Sequence, residues 1–322
     1  MTKSALVTGG GGYIGSLLTR ALLVQDYKVT VLDVFSGQLA GETHPKLELV
    51  GIGDDELHGG MADRALVERI VKGVDVIYHL ALSWFGWRQM PPLADLFDVN
   101  IRGTLNLLEA ARTQGVSHFL LASSETVYGK PQSLIVDEES SCRPELWEAG
   151  PGHPEPEYGI LKLVTEKLCL CYHHRYGLPI TVFRIVVVFD DDEALLLSQQ
   201  MLNKVLQDAT IDVVEGQGRA SIHVTEVVQA FLLATLNEKA YGQVFNLSNP
   251  ATYLSDRELY QLLIELTGSK SRIELRADPT CVHSVIESAE KAQQVLGWKP
   301  QKTKDDLKKV IVHTVQKLQT HV

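Results

Sequence analysis

Residues 8–15 read Thr8-Gly9-Gly10-Gly11-Gly12-Tyr13-Ile14-Gly15 and lie between a short β-branched run, Ala5–Thr8, and a helical pattern. At such a junction the free amide N–H groups and the positive end of the helix can cradle a pyrophosphate. Two registers fit: Gly10, Gly12 and Gly15 satisfy GxGxxG, and Gly9, Gly12 and Gly15 satisfy TGxxGxxG. A glycine match alone is weak, and a mere tight turn is its competitor; the strand-to-helix context is what the motif requires. The next run, Val29-Thr30-Val31-Leu32-Asp33, ends in a carboxylate about 20 residues beyond the glycines, where it can accept both ribose hydroxyls of an adenosine. Asp33 would repel a 2′-phosphate, and no Lys or Arg follows it before Lys46, which favours NAD over NADP.

Outward from this loop, strand candidates Ala5–Thr8, Lys28–Asp33, Leu47–Val50, Val74–Leu80, His118–Ser123 and Ile180–Val187 alternate with helical stretches. That alternation predicts an α/β chain with a Rossmann-type, doubly wound parallel sheet. Beyond residue 187 the pattern is less regular: helical stretches at Ala194–Gln207, Thr225–Asn237, Asp256–Thr267, Ser288–Leu296 and Asp305–Gln319, with strands at Ile211–Val214 and Val244–Leu247. The expected division is an NAD-binding domain over 1–187, with 222–248 returning to it, and a smaller α/β substrate lobe from 188–221 and 249–322. The Pro- and Gly-rich segment Cys142–Glu157 reads as a surface loop.

The chain has 322 residues, 45% hydrophobic and 22% charged, with 30 Lys+Arg against 40 Asp+Glu and a net charge of -10. This is ordinary globular usage, and the negative charge removes the basic stripe that nucleic-acid binders need. Cys142, Cys169, Cys171 and Cys281 form no CxxC pair and have no zinc-ligand spacing, so no metal is expected and a reduced, cytoplasmic chain is the natural reading. The opening MTKSALVTGG enters a strand at once, leaving no room for a secretory leader, and no apolar run reaches the length of a membrane helix.

Tyr158 and Lys162 stand at i and i+4, on one helix face. An ammonium near a phenol favours phenolate, so Tyr158 could take a proton from a substrate alcohol as hydride leaves its carbon. Such spacing is common, and a purely structural pair is an even competitor. Ser124, in Ser123-Ser124-Glu125-Thr126-Val127-Tyr128-Gly129, follows the fifth strand at the sheet edge where ligands bind in open α/β folds, and can share the substrate oxygen with Tyr158.

As an ordered set these residues resemble the extended short-chain dehydrogenase/reductase family, in its NAD-dependent sugar epimerase/dehydratase branch. The resemblance spans nearly the whole chain: the glycine loop, Asp33, Val76-Ile-Tyr-His-Leu-Ala81, Asn100 with Gly103-Thr104, Ser123–Gly129, Tyr158/Lys162, Ile222-His-Val224, Phe245-Asn-Leu247 and Leu296-Gly-Trp-Lys-Pro300. It implies that Ser124, Tyr158 and Lys162 are catalytic, and that NAD is held by Gly9, Gly12, Tyr13, Ile14, Gly15, Asp33, Leu80, Ala81, Asn100, Tyr158 and Lys162. Glu125 stands where related dehydratases carry an acid, which implies an acid/base role. Ser83 and Trp84 are substrate-side candidates beside the fourth strand, and Arg219 is a candidate for substrate phosphate. The chain departs from the family where Met61 stands in place of the acid that usually touches adenine, unless Asp54 serves instead. It departs again in Arg184-Ile-Val-Val-Val-Phe, which lacks the usual Asn and Tyr-Gly-Pro, and in its sparse nucleotide arginines, with Arg276 as the other candidate.

The resemblance implies an enzyme that oxidises and re-reduces a nucleotide-activated sugar on retained NAD, with Tyr158 as base. Helices Leu93–Arg112 and Tyr158–Tyr176 would pair across a two-fold axis in a homodimer. A dehydrogenase releasing NADH from a free sugar, polyol or hydroxy acid would account for the sparse arginines. A non-catalytic NAD sensor or scaffold would need only the fold, but has no reason to keep Ser124, Tyr158 and Lys162 together.

Overall fold

The computed structural model describes residues 2–34, 37–51, 60–82, 93–130, 133–146, 156–192, 194, 196–277 and 286–319. In chain order the first half runs β1 (Ser4–Thr8), α1 (Tyr13–Val24), β2 (Lys28–Leu32), β3 (Leu47–Val50), α2 (Arg64–Val71), β4 (Val76–His79), α3 (Leu93–Phe97), a π-helical turn at Asp98–Arg102, α4 (Gly103–Gln114), β5 (His118–Ser124), β6 (Ile135–Val136) and α5 (Pro156–Tyr176). There follow β7 (Ile180–Ile185), β8 (Val187–Phe189), α6 (Gln199–Leu206), β9 (Thr210–Val214), β10 (Gly218–His223), α7 (Val224–Ala234), β11 (Gln243–Leu247), β12 (Asn249–Ser255), α8 (Asp256–Thr267), β13 (Arg272–Arg276), β14 (Ile286–Glu287), α9 (Glu290–Leu296) and α10 (Lys304–Gln319).

Seven strands form one parallel sheet in the order β11-β7-β5-β4-β1-β2-β3. β4, β5 and β7 are buried at every residue, as strands covered by helices on both faces must be, which explains their unbroken apolar runs. Strand order reverses at β1, so the crevice beyond the carboxyl ends of β1 and β4 is where an open α/β sheet takes ligands. Two clusters fill the two faces: Val7, Leu18, Phe183, Phe231 and Trp298 on one, Leu6, Ile77, Leu108, Phe119 and Val182 on the other.

The chain leaves this sheet where the sequence suggests one long strand to Val187. β7 ends at Ile185, the Val186 N–H turns to the Leu247 carbonyl, and β8 pairs instead with β10 in a three-stranded sheet, β12-β10-β8. The helix expected from Ala194 begins only at Gln199, where the Ser198 hydroxyl accepts the Met201 N–H at 3.2 Å and caps it. A third core, with Phe189, Met201, Ile211, Leu259, Leu263 and Ile311, lies outside the large sheet. α9 and Trp298 do not join that core, although they fall in the segment 249–322 assigned to the smaller lobe. Ala289, Ala292, Leu296 and Trp298 pack with the large sheet, and the Trp298 indole N–H donates to the Glu226 carbonyl at 2.9 Å.

Candidate active site

The glycine loop joins β1 to α1 by close backbone approaches. Gly9 has φ +73, and a Cβ there would stand 2.7 Å from the Ala81 nitrogen; one on Gly15 would stand 2.2 Å from the Gly9 carbonyl oxygen. The left-handed residue is thus Gly9, which selects the TGxxGxxG register, while Gly10 is closed off by the Val31 side chain. Gly12 differs: among the described residues a Cβ there meets only the Gly9 oxygen, at 3.3 Å. It is the N-cap of α1 and has no side chain to satisfy the first-turn N–H groups. Open space at Gly12, in front of a helix with no acidic residue in its first turn, fits a pyrophosphate. Tyr13 and Ile14 form that first turn.

Asp33 follows β2 directly, the strand ending one residue short of the Lys28–Asp33 that the sequence suggests. Its carboxylate accepts the Gly11 N–H at 2.8 Å and the Val34 N–H at 2.8 Å, which fixes it against the glycine loop. The Leu80 and Ala81 N–H groups donate to the backbone oxygen and to the Oγ1 of Thr8, holding the β4 exit beside Gly9. A residue not singled out from the sequence links this exit to Asn100. The His79 imidazole has Nδ1 2.8 Å from Thr8 Oγ1 and Nε2 2.9 Å from Thr104 Oγ1, and Thr104 in turn donates to the Asn100 carbonyl at 2.5 Å. Burial pushes His79 down to about 3, so it is neutral at any working pH. Asn100 lies in the π-helical turn, where the helical ladder is locally widened.

Ser124 closes β5, and its Oγ accepts from the Thr126 N–H at 3.2 Å and the Thr126 hydroxyl at 3.1 Å. The Tyr158 phenol hydrogen-bonds to Ser124, which joins the first turn of α5 to the end of β5. Lys162, one turn on, is buried, donates to the Ala122 carbonyl at 2.7 Å, and has Nζ 5.8 Å from the Tyr158 ring centre. The proximity expected from i,i+4 spacing is present, but its expected effect is not. Burial pushes the Tyr158 phenol up to about 12, helped by the Glu125 charge and opposed by the Ser124 hydrogen bond, while burial pushes Lys162 down to about 8. Burial thus favours the protonated phenol.

Beneath these groups lies an ion pair that periodicity does not reveal. Arg184 Nε and Nη2 reach Glu166 at 3.1 and 2.6 Å, both side chains being buried. Nη1 donates to the Tyr128 hydroxyl at 2.9 Å, and Ser123 donates to Glu166 at 3.2 Å. The only sequence signal is a charge inside an apolar strand.

Glu125 hydrogen-bonds to Glu287 and accepts the Val187 N–H, with Arg219 close enough to favour its charged form. Arg219 also pairs with Asp256 at 3.7 Å. Ser83, Trp84 and Asp54 lie outside the described residues. Met61 is buried against Gly103, and its carbonyl accepts from Asn106 at 3.0 Å, so it is part of the core. Arg276 is exposed on β13, which pairs with β9 in a separate two-stranded sheet. No cluster of potential metal ligands occurs among the described residues, and no described helix is long and apolar enough to cross a membrane.

The family model for the NAD dependent epimerase/dehydratase family matches residues 5–248. UDP-glucuronic acid decarboxylase 1 of Danio rerio is 30% identical over 309 residues, which cover 92% of this chain and 69% of the relative. A putative UDP-glucose 4-epimerase of Methanocaldococcus jannaschii is 29% identical, covering 95% of this chain and 96% of the relative. Among solved structures, UDP-glucose 4-epimerase with UDP-glucose from Thermotoga maritima superposes with a TM-score of 0.74 at 26% identity, covering 98% of this chain and 99% of that one.

Proposed function

The chain belongs to the NAD-dependent epimerase/dehydratase family, and from that premise we propose that it is an enzyme acting on a nucleotide-activated sugar by transient oxidation, with Tyr158 as the base. The observation that carries this reading is the convergence of the open Gly12 cap, the Ser124–Tyr158 hydrogen bond and buried Lys162 along the carboxyl ends of β1, β4 and β5. NAD, when bound, supplies the hydride acceptor. Gly9, Gly12 and Gly15 shape its pyrophosphate cradle, and Asp33 stands ready for the adenosine ribose. Tyr158 takes the proton of a sugar hydroxyl and Ser124 donates to the same oxygen as it becomes a carbonyl, with Lys162 buried one turn on in α5 and held by the Ala122 carbonyl. Arg219 is the candidate contact for the nucleotide phosphates. This assignment is supported by UDP-sugar chemistry in the relatives' names.

The same reading makes the chain a homodimer through α3, α4 and α5. Its support is the exposure of Leu93 and Phe97 on α3 and of Ile160 on α5, at 55, 52 and 41%, which a partner's apolar side chains would cover. Unpaired thiols at Cys142, Cys169 and Cys171 support a reducing, cytoplasmic setting.

The test is to denature the purified protein, identify any released nucleotide by mass spectrometry, and incubate the native protein with UDP-sugars and dTDP-sugars under NMR. Retained NAD(H) and a changed sugar without net NADH absorbance are expected. An empty site with net NADH from a free sugar or hydroxy acid would make the chain a dehydrogenase. Bound NAD with no turnover of any sugar nucleotide would make it a sensor.

A further inference from the structure

Glu287 belongs to none of the motifs that mark the family-like site, yet it reaches that site. It lies on β14, whose two residues pair in parallel with β6, Glu287 opposite Val136, and it is 5% exposed. Its carboxyl is hydrogen-bonded to that of Glu125, the residue that follows Ser124. Glu287 is buried and Glu125 half-buried, and two hydrogen-bonded carboxyl groups so placed repel as a pair of charges, so the contact favours one proton shared between them.

The groups around Glu125 decide which member keeps that proton. From β8 the Val187 N–H donates to Glu125, from β10 the Arg219 guanidinium attracts its negative form, and from α5 Tyr158 feels its charge. Asp256, on α8, faces Arg219 from the other side at 3.7 Å and shares its charge. Glu287 has its own backbone N–H for support and, among the described residues, no cation acting on it, and both burial and the Glu125 charge push its carboxyl well up. Glu125 is also raised by burial, then drawn back by Arg219, the Glu287 hydrogen bond and Val187, to about 7. Arg219 thus separates two otherwise similar carboxyls.

We propose that Glu287 is a positioning residue for Glu125: it stays protonated in the folded chain and donates its hydrogen bond to the Glu125 carboxylate, leaving Glu125 free to gain and lose a proton beside Tyr158. The cleft then holds a second proton-transfer group that changes charge near neutral pH, set by a residue at the far end of the sequence. Its use in turnover rests on the function proposed above; the pair itself does not, and is tested without substrate.

Infrared spectra of the full-length protein titrated across neutral and alkaline pH read the carboxyl groups directly. Wild type should lose one protonated-carboxyl stretch around pH 7, absent in Glu125→Gln, and keep another into alkaline pH, absent in Glu287→Gln. Glu287→Met, which keeps the bulk and removes the donor, should raise the Glu125 midpoint by about 1–2 pH units, the worth of a hydrogen bond to a charged group. Glu287→Gln, which keeps a donor, should restore it to within about half a unit of wild type, a rescue that a merely space-filling residue would not give. The proposal is overturned if wild type has no persistent stretch that Glu287→Gln removes, or if the Met and Gln variants move Glu125 alike. Should the Met variant fail to fold, the wild-type, Glu125→Gln and Glu287→Gln spectra still decide. Failure to turn over sugar nucleotides would sink the functional reading and leave these spectra unchanged.

Discussion

Lys162 donates to the carbonyl oxygen of Ala122 at 2.7 Å, so its ammonium is held by the main chain of β5 and stands off from the phenol one turn earlier in α5. A buried ammonium with a neutral acceptor is costly, which is why it is pushed down from 10.5 to about 8. Between those two values the unfolded chain binds the proton and the folded chain does not, so this group makes stability rise with pH across that window; below pH 8 its whole cost is present.

Replacing Lys162 by Met should therefore stabilise the protein while removing its activity. The shift corresponds to about 3 kcal/mol, and losing the donor to Ala122 offsets part of it, leaving a net gain of about 1–2 kcal/mol at pH 7. The gain should shrink as pH rises from 8 towards 10.5. Urea unfolding of both proteins at neutral and alkaline pH measures this directly. A Met variant less stable than wild type at pH 7 would mean that the ammonium is not strained.

Tyr158→Phe removes the phenol oxygen and its bond to Ser124 but no apolar contact. NAD binding should survive and turnover should fall by about 10²–10⁴, the usual worth of a positioned acid or base. Cofactor content and rate, measured on the same preparation, separate the two effects. Substantial remaining activity would move the base to another group, Glu125, whose charge acts on Tyr158, being the candidate.

The glycines of the loop should separate fold from binding. Gly15→Ala drives a methyl against the Gly9 carbonyl oxygen at 2.2 Å, and backbone must move to admit it, so a loss of about 2 kcal/mol or more is expected. Gly12→Ala meets that oxygen at 3.3 Å and should cost less than about 1 kcal/mol, yet its methyl fills the cradle and should abolish NAD retention. Thermal melts with and without added NAD check this. Equal melting points for the two variants would contradict the geometry.

Much of this was legible in the sequence because it is local. Ala5–Thr8 and the glycines announce a strand, a turn and a helix within one short window, and Tyr158 and Lys162 share a helix face by spacing alone. The register of the glycine loop was not legible, because Gly9 and Gly10 differ only in what lies opposite: the Leu80–Ala81 backbone for one, Val31 for the other. Nor were the break at Val186 and the Glu125–Glu287 contact, since both depend on strands that pair far from their sequence neighbours. Lys162 is a third case: spacing gave its place, and only burial reveals its charge cost.

Arg184 and Glu166 give the last prediction. The pair joins β7 to α5 directly beneath the site: Glu166 is one turn past Lys162, it accepts from Ser123 at 3.2 Å, and Arg184 Nη1 holds the Tyr128 hydroxyl. Arg184→Met would leave the buried Glu166 charge with Ser123 and the exposed Lys167, whose nitrogen is 3.6 Å away, and should cost about 3–5 kcal/mol. Because the uncompensated charge dominates that loss, removing it as well, in Arg184→Met with Glu166→Leu, should recover most of the stability. The double variant should still lose activity, since α5 would lose its tie to β7 through Arg184 and its tie to Ser123 of β5 through Glu166, next to Ser124. A double-mutant cycle by urea unfolding, with rates on the same proteins, measures both quantities; a single Arg184→Met variant as stable as wild type would mean that the pair contributes little beyond packing.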